Sequence, residues 1–140
     1  MQRSIFLAKL IGPLLMAIGL ALIINADTFR LMAGEFLKSY SLIYIAGLLA
    51  LTAGLAIVNT HNEWTGDWRV VITILGWLCV IGGIFRIVFP RTVETLGASM
   101  IATASSSWII GEGVVFLALG AWLSFMGYYA PGKASAKRKR

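Results

Sequence analysis

The chain has one cysteine, one histidine, three prolines and six acidic residues in 140 positions. Each scarcity excludes something. A single thiol, Cys79, cannot form an intramolecular disulfide, and within an apolar segment it reads as a small buried hydrophobe. A single imidazole, His61, excludes two-histidine haem ligation within one chain. Ser105, Ser106 and Ser107 lie in a segment without histidine, and no G-x-S-x-G turn occurs, so no serine-hydrolase set is present. Gly82-Gly83 and Gly111-Glu112-Gly113 fall inside apolar runs and not after a strand, which makes them packing glycines and not nucleotide loops. No cofactor and no metal is expected.

What is abundant is apolar surface. Hydrophobic residues make up 59% of the chain and charged residues only 13%, with a mean hydropathy of +0.84. That lies outside the range of soluble domains and describes an integral membrane protein whose first partner is the lipid bilayer. A hydrocarbon core of ~30 Å takes about 20 helical residues. Four runs have that length: Ile5–Ile24, Ser41–Val58, Val70–Phe89 and Trp108–Tyr128. Without strand-like alternation, helices are the form that satisfies every backbone amide in lipid. The expected fold is therefore all-α, a four-helix membrane bundle occupying residues 1–130, followed by a disordered basic tail over 131–140.

Arg3 followed by a long apolar run also fits a signal peptide, but Ile24 is too large for the −3 position of a cleavage site and the run is long enough to span. The excess positive charge carries topology. Arg3, Lys9, Arg69, Lys133, Lys137, Arg138, Lys139 and Arg140 fall on the side of the termini, against Arg30, Lys38, Arg86 and Arg91 on the other. Basic residues gather on the cytoplasmic side, which puts both termini there and makes a nucleic-acid role unnecessary.

Between the spans lie two amphipathic stretches. Ala26–Ser39 mixes Phe29, Leu31, Met32, Phe36 and Leu37 with Asp27, Arg30, Glu35 and Lys38, the pattern of a helix lying in the interface. Arg91–Ser107 is weaker and richer in small residues, and reads as a second interfacial helix or a shallow re-entrant one. The connector between spans two and three is the most polar stretch, with His61, Glu63, Trp64, Asp67, Trp68 and Arg69. Its tryptophans suit the headgroup region. Its histidine and carboxylates offer ligand atoms, but without any recognised metal-ligand spacing.

Two regularities run through the spans. Glycines recur seven apart: Gly12 and Gly19, Gly47 and Gly54, Gly76 and Gly83, then Gly113, Gly120 and Gly127. Seven residues are about two helical turns, so each series marks one stripe for close helix contact. An offset of 64 residues also aligns Gly12 with Gly76, Leu14 with Leu78, Gly19 with Gly83, Ile23 with Ile87, Thr28 with Thr92, Gly47 with Gly111 and Leu55 with Leu119. This ungapped match predicts a two-fold internal repeat of span, interfacial helix, span, with its axis along the membrane normal.

Two charges lie within spans. Arg86 stands four residues before Pro90, and Glu112 four residues after Trp108, which gives them similar depth on sequential helices. Ionisable residues in spans face a partner or a cavity. An Arg86–Glu112 salt bridge between spans three and four is the expectation.

With His61-Asn-x-Trp64, Asp67-Trp68-Arg69, Thr73, Gly76-Trp77, Gly82-Gly83, Arg86 and Pro90 in view, the chain resembles a family of small uncharacterised bacterial inner-membrane proteins of about this length. The resemblance implies a multi-pass protein of a bacterial plasma membrane and no particular activity. The function expected first is that of a non-enzymatic accessory subunit of a larger membrane complex, or of a homo-oligomeric structural protein. The alternative is a small ion-coupled transporter or channel using Glu112 and Arg86. It is similar to small multidrug transporters in size and span number, but places its membrane carboxylate in the last span. A membrane enzyme built on His61, Glu63 and Asp67 ranks third.

Overall fold

The computed structural model describes the backbone of residues 2–137 apart from Thr65, and the side chains of residues 3–129 with the same exception. Six helices follow in order: α1 (Gln2–Ile24), α2 (Ala26–Leu37), α3 (Tyr40–Thr60), α4 (Arg69–Val88), α5 (Pro90–Thr103) and α6 (Ser106–Lys137). The fold is all-α among the described residues. Four stretches, Arg3–Ile24, Tyr40–Thr60, Arg69–Val88 and Ser106–Tyr129, are long and apolar enough to cross a membrane. The chain is thus a multi-pass membrane protein with two short helices, α2 and α5, at the end opposite the polar connector.

The second amphipathic stretch is a regular helix begun by Pro90, which suits a first helical turn because its missing N–H has no partner to lose there. At the other end, α6 continues through Pro131-Gly132 to Lys137, where a disordered tail was expected. One proline forfeits a single backbone bond, and the alanines and lysines after it are good helix formers. Residues 138–140 of that tail lie outside the described residues.

The spans associate as two tight pairs, α1 with α6 and α3 with α4. Lipid tails are as apolar as leucine, so close packing must hold such pairs together in place of a hydrophobic drive. The glycine stripes supply it. A β-carbon on Gly19 would lie 2.6 Å from the Leu117 amide nitrogen and 2.7 Å from the Gly113 carbonyl oxygen. One on Gly120 would lie 2.7 Å from the Gly12 carbonyl oxygen. In the other pair, a β-carbon on Gly83 would lie 2.8 Å from the Gly47 carbonyl oxygen, and one on Gly54 2.8 Å from that of Gly76. Each pair is therefore backbone against backbone at two levels, two helical turns apart. Gly127, next in its series, also faces α1, at Ala8 and Lys9.

Exchanging α1 with α4, α2 with α5 and α3 with α6 carries these pairings into one another, together with the contacts of α2 with α5, α1 with α4, and α3 with α5 against α6 with α2. The junctions agree in detail. Asn25 has φ −123° and ψ 40°, and Phe89, 64 residues later, has φ −124° and ψ 55°. The second spans correspond at a different offset. Ser39 and Ser105 occupy the same place before α3 and α6, each hydroxyl accepting from the amide three residues on, at 3.4 Å and 3.3 Å. Gly47 is therefore matched by Gly113 and Gly54 by Gly120, an offset of 66. The ungapped alignment of Gly47 with Gly111 and Leu55 with Leu119 is corrected accordingly: α5, with 14 residues against 12 in α2, absorbs the two extra residues.

At the connector half of the bundle the two pairs meet through Leu7, Ile11 and Leu15 of α1, Ile72 of α4 and Leu123 of α6. A smaller cluster of Leu22, Ala26 and Ile109 fixes α2 against α1 and α6 at the other end.

Candidate functional site

Polar side chains gather in two places, one at each end of the bundle. The first is the connector. Helix α3 stops at Thr60 because His61 turns extended, with φ −151° and ψ 95°, while its amide still donates to the Ile57 carbonyl at 2.7 Å. That turn sends the imidazole back into the protein, where it is 3% exposed. Its Nε2 faces the Arg69 carbonyl at 3.2 Å, and its Nδ1 faces the Ser4 hydroxyl at 3.3 Å. A carbonyl only accepts, so Nε2 carries a proton, and in the neutral ring Nδ1 accepts from Ser4.

Ser4 and Thr73 are both 0% exposed, and with His61 they are the buried polar residues of the described chain. Thr73 accepts from the Glu63 amide at 3.2 Å and donates to the Glu63 carbonyl at 3.1 Å, so one hydroxyl satisfies both backbone groups of an irregular residue. The Glu63 carboxylate receives the Arg69 guanidinium at 3.2 Å. This bond, with the nearby positive charges, holds the Glu63 carboxyl below the usual carboxylate range. The Arg69 Nε is buried and takes no partner among the described residues. Asn62 accepts from the indole of Trp64 at 2.9 Å and from that of Trp77 at 3.5 Å.

The connector is therefore a clasp holding the start of α1, the end of α3 and the start of α4. Of the residues expected there, it unites His61, Glu63 and Arg69. Trp64 is 66% exposed, as a headgroup anchor would be. Trp68 is not an anchor: it packs on the core cluster of Leu7 and Ile72. Asp67 is exposed and is not part of the one ion pair among the described residues. Among the described residues no three of His, Cys, Asp and Glu come together to hold a metal ion. The Ser4–His61 contact resembles part of a catalytic dyad, but both groups are sealed from any substrate and the far ring nitrogen meets a carbonyl, not a carboxylate.

The second place is the opposite end. Ser106 donates to the Asp27 carboxylate at 2.7 Å, joining α6 to α2, and Tyr40 donates to Glu94 at 2.6 Å, joining α3 to α5. Arg30 reaches the Ala102 carbonyl with one long bond of 3.5 Å. Arg30 and Glu112 line a cavity of about 430 Å³ between α2, α5 and α6.

The expected Arg86–Glu112 salt bridge does not form; among the described residues the one ion pair is Arg69–Glu63. Equal depth did not make the two neighbours, because the partner of α4 is α3 and the partner of α6 is α1. The Arg86 guanidinium instead donates to the Gly82 carbonyl of its own helix at 3.0 Å, and lines a separate cavity with Phe36 and Cys79. Its stem occupies the position that Leu22 takes in the other pair. The Arg86 and Leu22 β-carbons each lie 3.0 Å from where a β-carbon of Gly47 or Gly113 would stand.

Sequence reasoning missed Ser4 and the part played by Arg30. Nothing marks a serine one turn into an apolar helix as the partner of a histidine 57 residues away. Arg30 did carry a sign: at the 64-residue offset it aligns with Glu94, a residue of opposite charge. No family model, no curated protein and no solved structure matches the chain.

Proposed function

We propose that the chain is a small non-enzymatic protein of a bacterial inner membrane, with both termini cytoplasmic, that acts as an accessory subunit or homo-oligomer through its lipid-facing helix surfaces. The observation that carries this reading is that the buried side chains of Ser4, His61 and Thr73 are bonded within the connector clasp, and among the described residues no three of His, Cys, Asp and Glu come together. The glycine seams are likewise consumed within the chain. What remains outward on α6 is a face of Ser107, Gly111, Val114 and Ala118, all exposed, of the small-residue kind that lets another helix approach.

The test is the mass of the protein extracted from its native membrane in lipid particles, with every accompanying chain identified. A stoichiometric second chain, or a defined homo-oligomer, supports the reading. A monomer with nothing attached overturns it.

A second reading, an ion-coupled transporter, is favoured by one observation. Glu112 takes no hydrogen bond or ion pair among the described residues and lines two adjoining cavities. A pH-dependent flux that disappears in Glu112→Gln would replace the first reading with this one.

A further inference from the structure

The cavity between α2, α5 and α6 has a charge of each sign in its wall, Arg30 from α2 and Glu112 from α6, and Phe29 and Trp108 line it as well. A second cavity of about 480 Å³ adjoins it, sharing Trp108 and Glu112 as a common wall and lined further along α6 by Val115 and Phe116. From Ser105 to Phe116 the two cover about three helical turns, starting where a polar headgroup region would lie and ending among apolar side chains.

The fold does not need these charges. Under the internal two-fold, Arg30 is replaced by Glu94, Trp108 by Leu42 and Glu112 by Ala46, and the α3 and α4 spans still pair without this set of side chains. Nor do they form an ion pair with each other among the described residues. Arg30 spends one donor on a long bond to the Ala102 carbonyl, and Glu112 has no bonding partner among the described residues. A carboxylate at the edge of the hydrocarbon is costly unless a cation or a hydrogen-bond donor meets it.

We infer that these two adjoining cavities, either side of Trp108 and Glu112, are a binding site for a zwitterionic aminophospholipid. The Arg30 guanidinium takes the phosphate as a charge-assisted hydrogen-bond pair. The Glu112 carboxylate takes the primary ammonium, with the Trp108 indole beside it. One acyl chain lies along α6 past Val115 and Phe116. A net-neutral pair of wall charges matches a net-neutral head, and the apolar continuation selects a lipid over a soluble phosphate ester. The inference stands apart from the accessory-subunit reading, since it concerns what occupies the cavity and not what the protein assembles with.

The test is native mass spectrometry of the purified full chain released from vesicles of equal phosphatidylethanolamine and phosphatidylglycerol. The wild-type protein is expected to retain phosphatidylethanolamine over phosphatidylglycerol by about tenfold, the scale of one charge-assisted bond. Glu112→Gln should bring that ratio close to one by removing the ammonium's partner, and Arg30→Gln should reduce retention of both lipids. Val115→Trp, at a side chain 65% exposed and so able to change without disturbing the bundle, should block the acyl groove and abolish retention with both charges in place. Retention of the two lipids in equal amounts by the wild type would overturn the inference. So would a ratio unchanged in Glu112→Gln, or displacement of the lipid by soluble phosphoethanolamine at matched concentration.

Discussion

Replacing Gly83 by alanine asks whether backbone contact holds α3 to α4. The added methyl would stand 2.5 Å from the Leu51 amide nitrogen and 2.8 Å from both the Leu51 α-carbon and the Gly47 carbonyl oxygen. Ordinary carbon contacts are about 3.5–4.0 Å, so the helices must part by about 1 Å at this level. None of the nearest atoms is the tip of a flexible side chain that could turn aside. Overpacking a close-packed site costs roughly 1–3 kcal/mol, and alanine returns about 1 kcal/mol in helix propensity. The expected net loss is about 0–2 kcal/mol, or about 1–3 kcal/mol relative to an alanine that meets no neighbour. Gly111→Ala is the control, since a methyl there meets nothing within 4 Å; it should be neutral or stabilising by up to about 1 kcal/mol. Gly19→Ala, the two-fold counterpart in the α1 and α6 pair, should match Gly83→Ala. Reversible unfolding in mild detergent with increasing denaturing detergent, followed by circular dichroism, measures all three. If Gly83→Ala proves as stable as Gly111→Ala, the seams are not what holds the pairs.

Two further outcomes follow from the geometry. Arg86 and Glu112 make no direct contact, so the stability changes of Arg86→Leu and Glu112→Leu should add in the double variant to within about 0.3–0.5 kcal/mol. A coupling energy well above that would restore the direct pair. Arg69 holds the Glu63 carboxyl below its ordinary range, so the folded protein binds that proton less tightly than the unfolded chain. The stabilisation is complete above the ordinary glutamate pKa and is lost as pH falls through the depressed folded value. With the two side chains 23% and 38% exposed, solvent keeps the effect small. Wild type and Glu63→Gln should differ at neutral pH and converge in acid; stability curves that stay parallel down to pH 3 would refute the assignment.

The spans were legible because hydropathy over about 20 residues needs no knowledge of neighbours. The glycine stripes were legible for a similar reason, since a seven-residue spacing fixes one face of one helix. Which stripe faces which is a property of two helices at once, and that was not written in either. Depth along the membrane placed Arg86 beside Glu112, but angular position decided otherwise. Glu112 precedes Gly113 by one residue, about 100° around the helix, and Gly113 is committed to α1. The repeat was legible in its first span and slipped in its second, because an insertion of two residues inside a weakly patterned helix leaves no mark in hydropathy. His61 was recognised as unusual, but its role depends on Ser4 and the Arg69 carbonyl, one distant in sequence and the other a backbone atom.

The crosswise pairing of the two halves has a consequence for how the chain comes together as it is made. Neither half contains a seam of its own, since α1 waits for α6 and α3 waits for α4. The hairpin of α3 and α4 is the first unit that can close after its parts emerge from the ribosome, because only the eight-residue connector His61–Trp68 separates them. The first helix to be made must then stay without its partner until the last has entered the bilayer. During that interval its exposed glycine groove is open to any neighbouring helix, including the α6 of another copy. A second copy captured at that moment would form an exchanged dimer that reuses the α1 and α6 seam of the monomer.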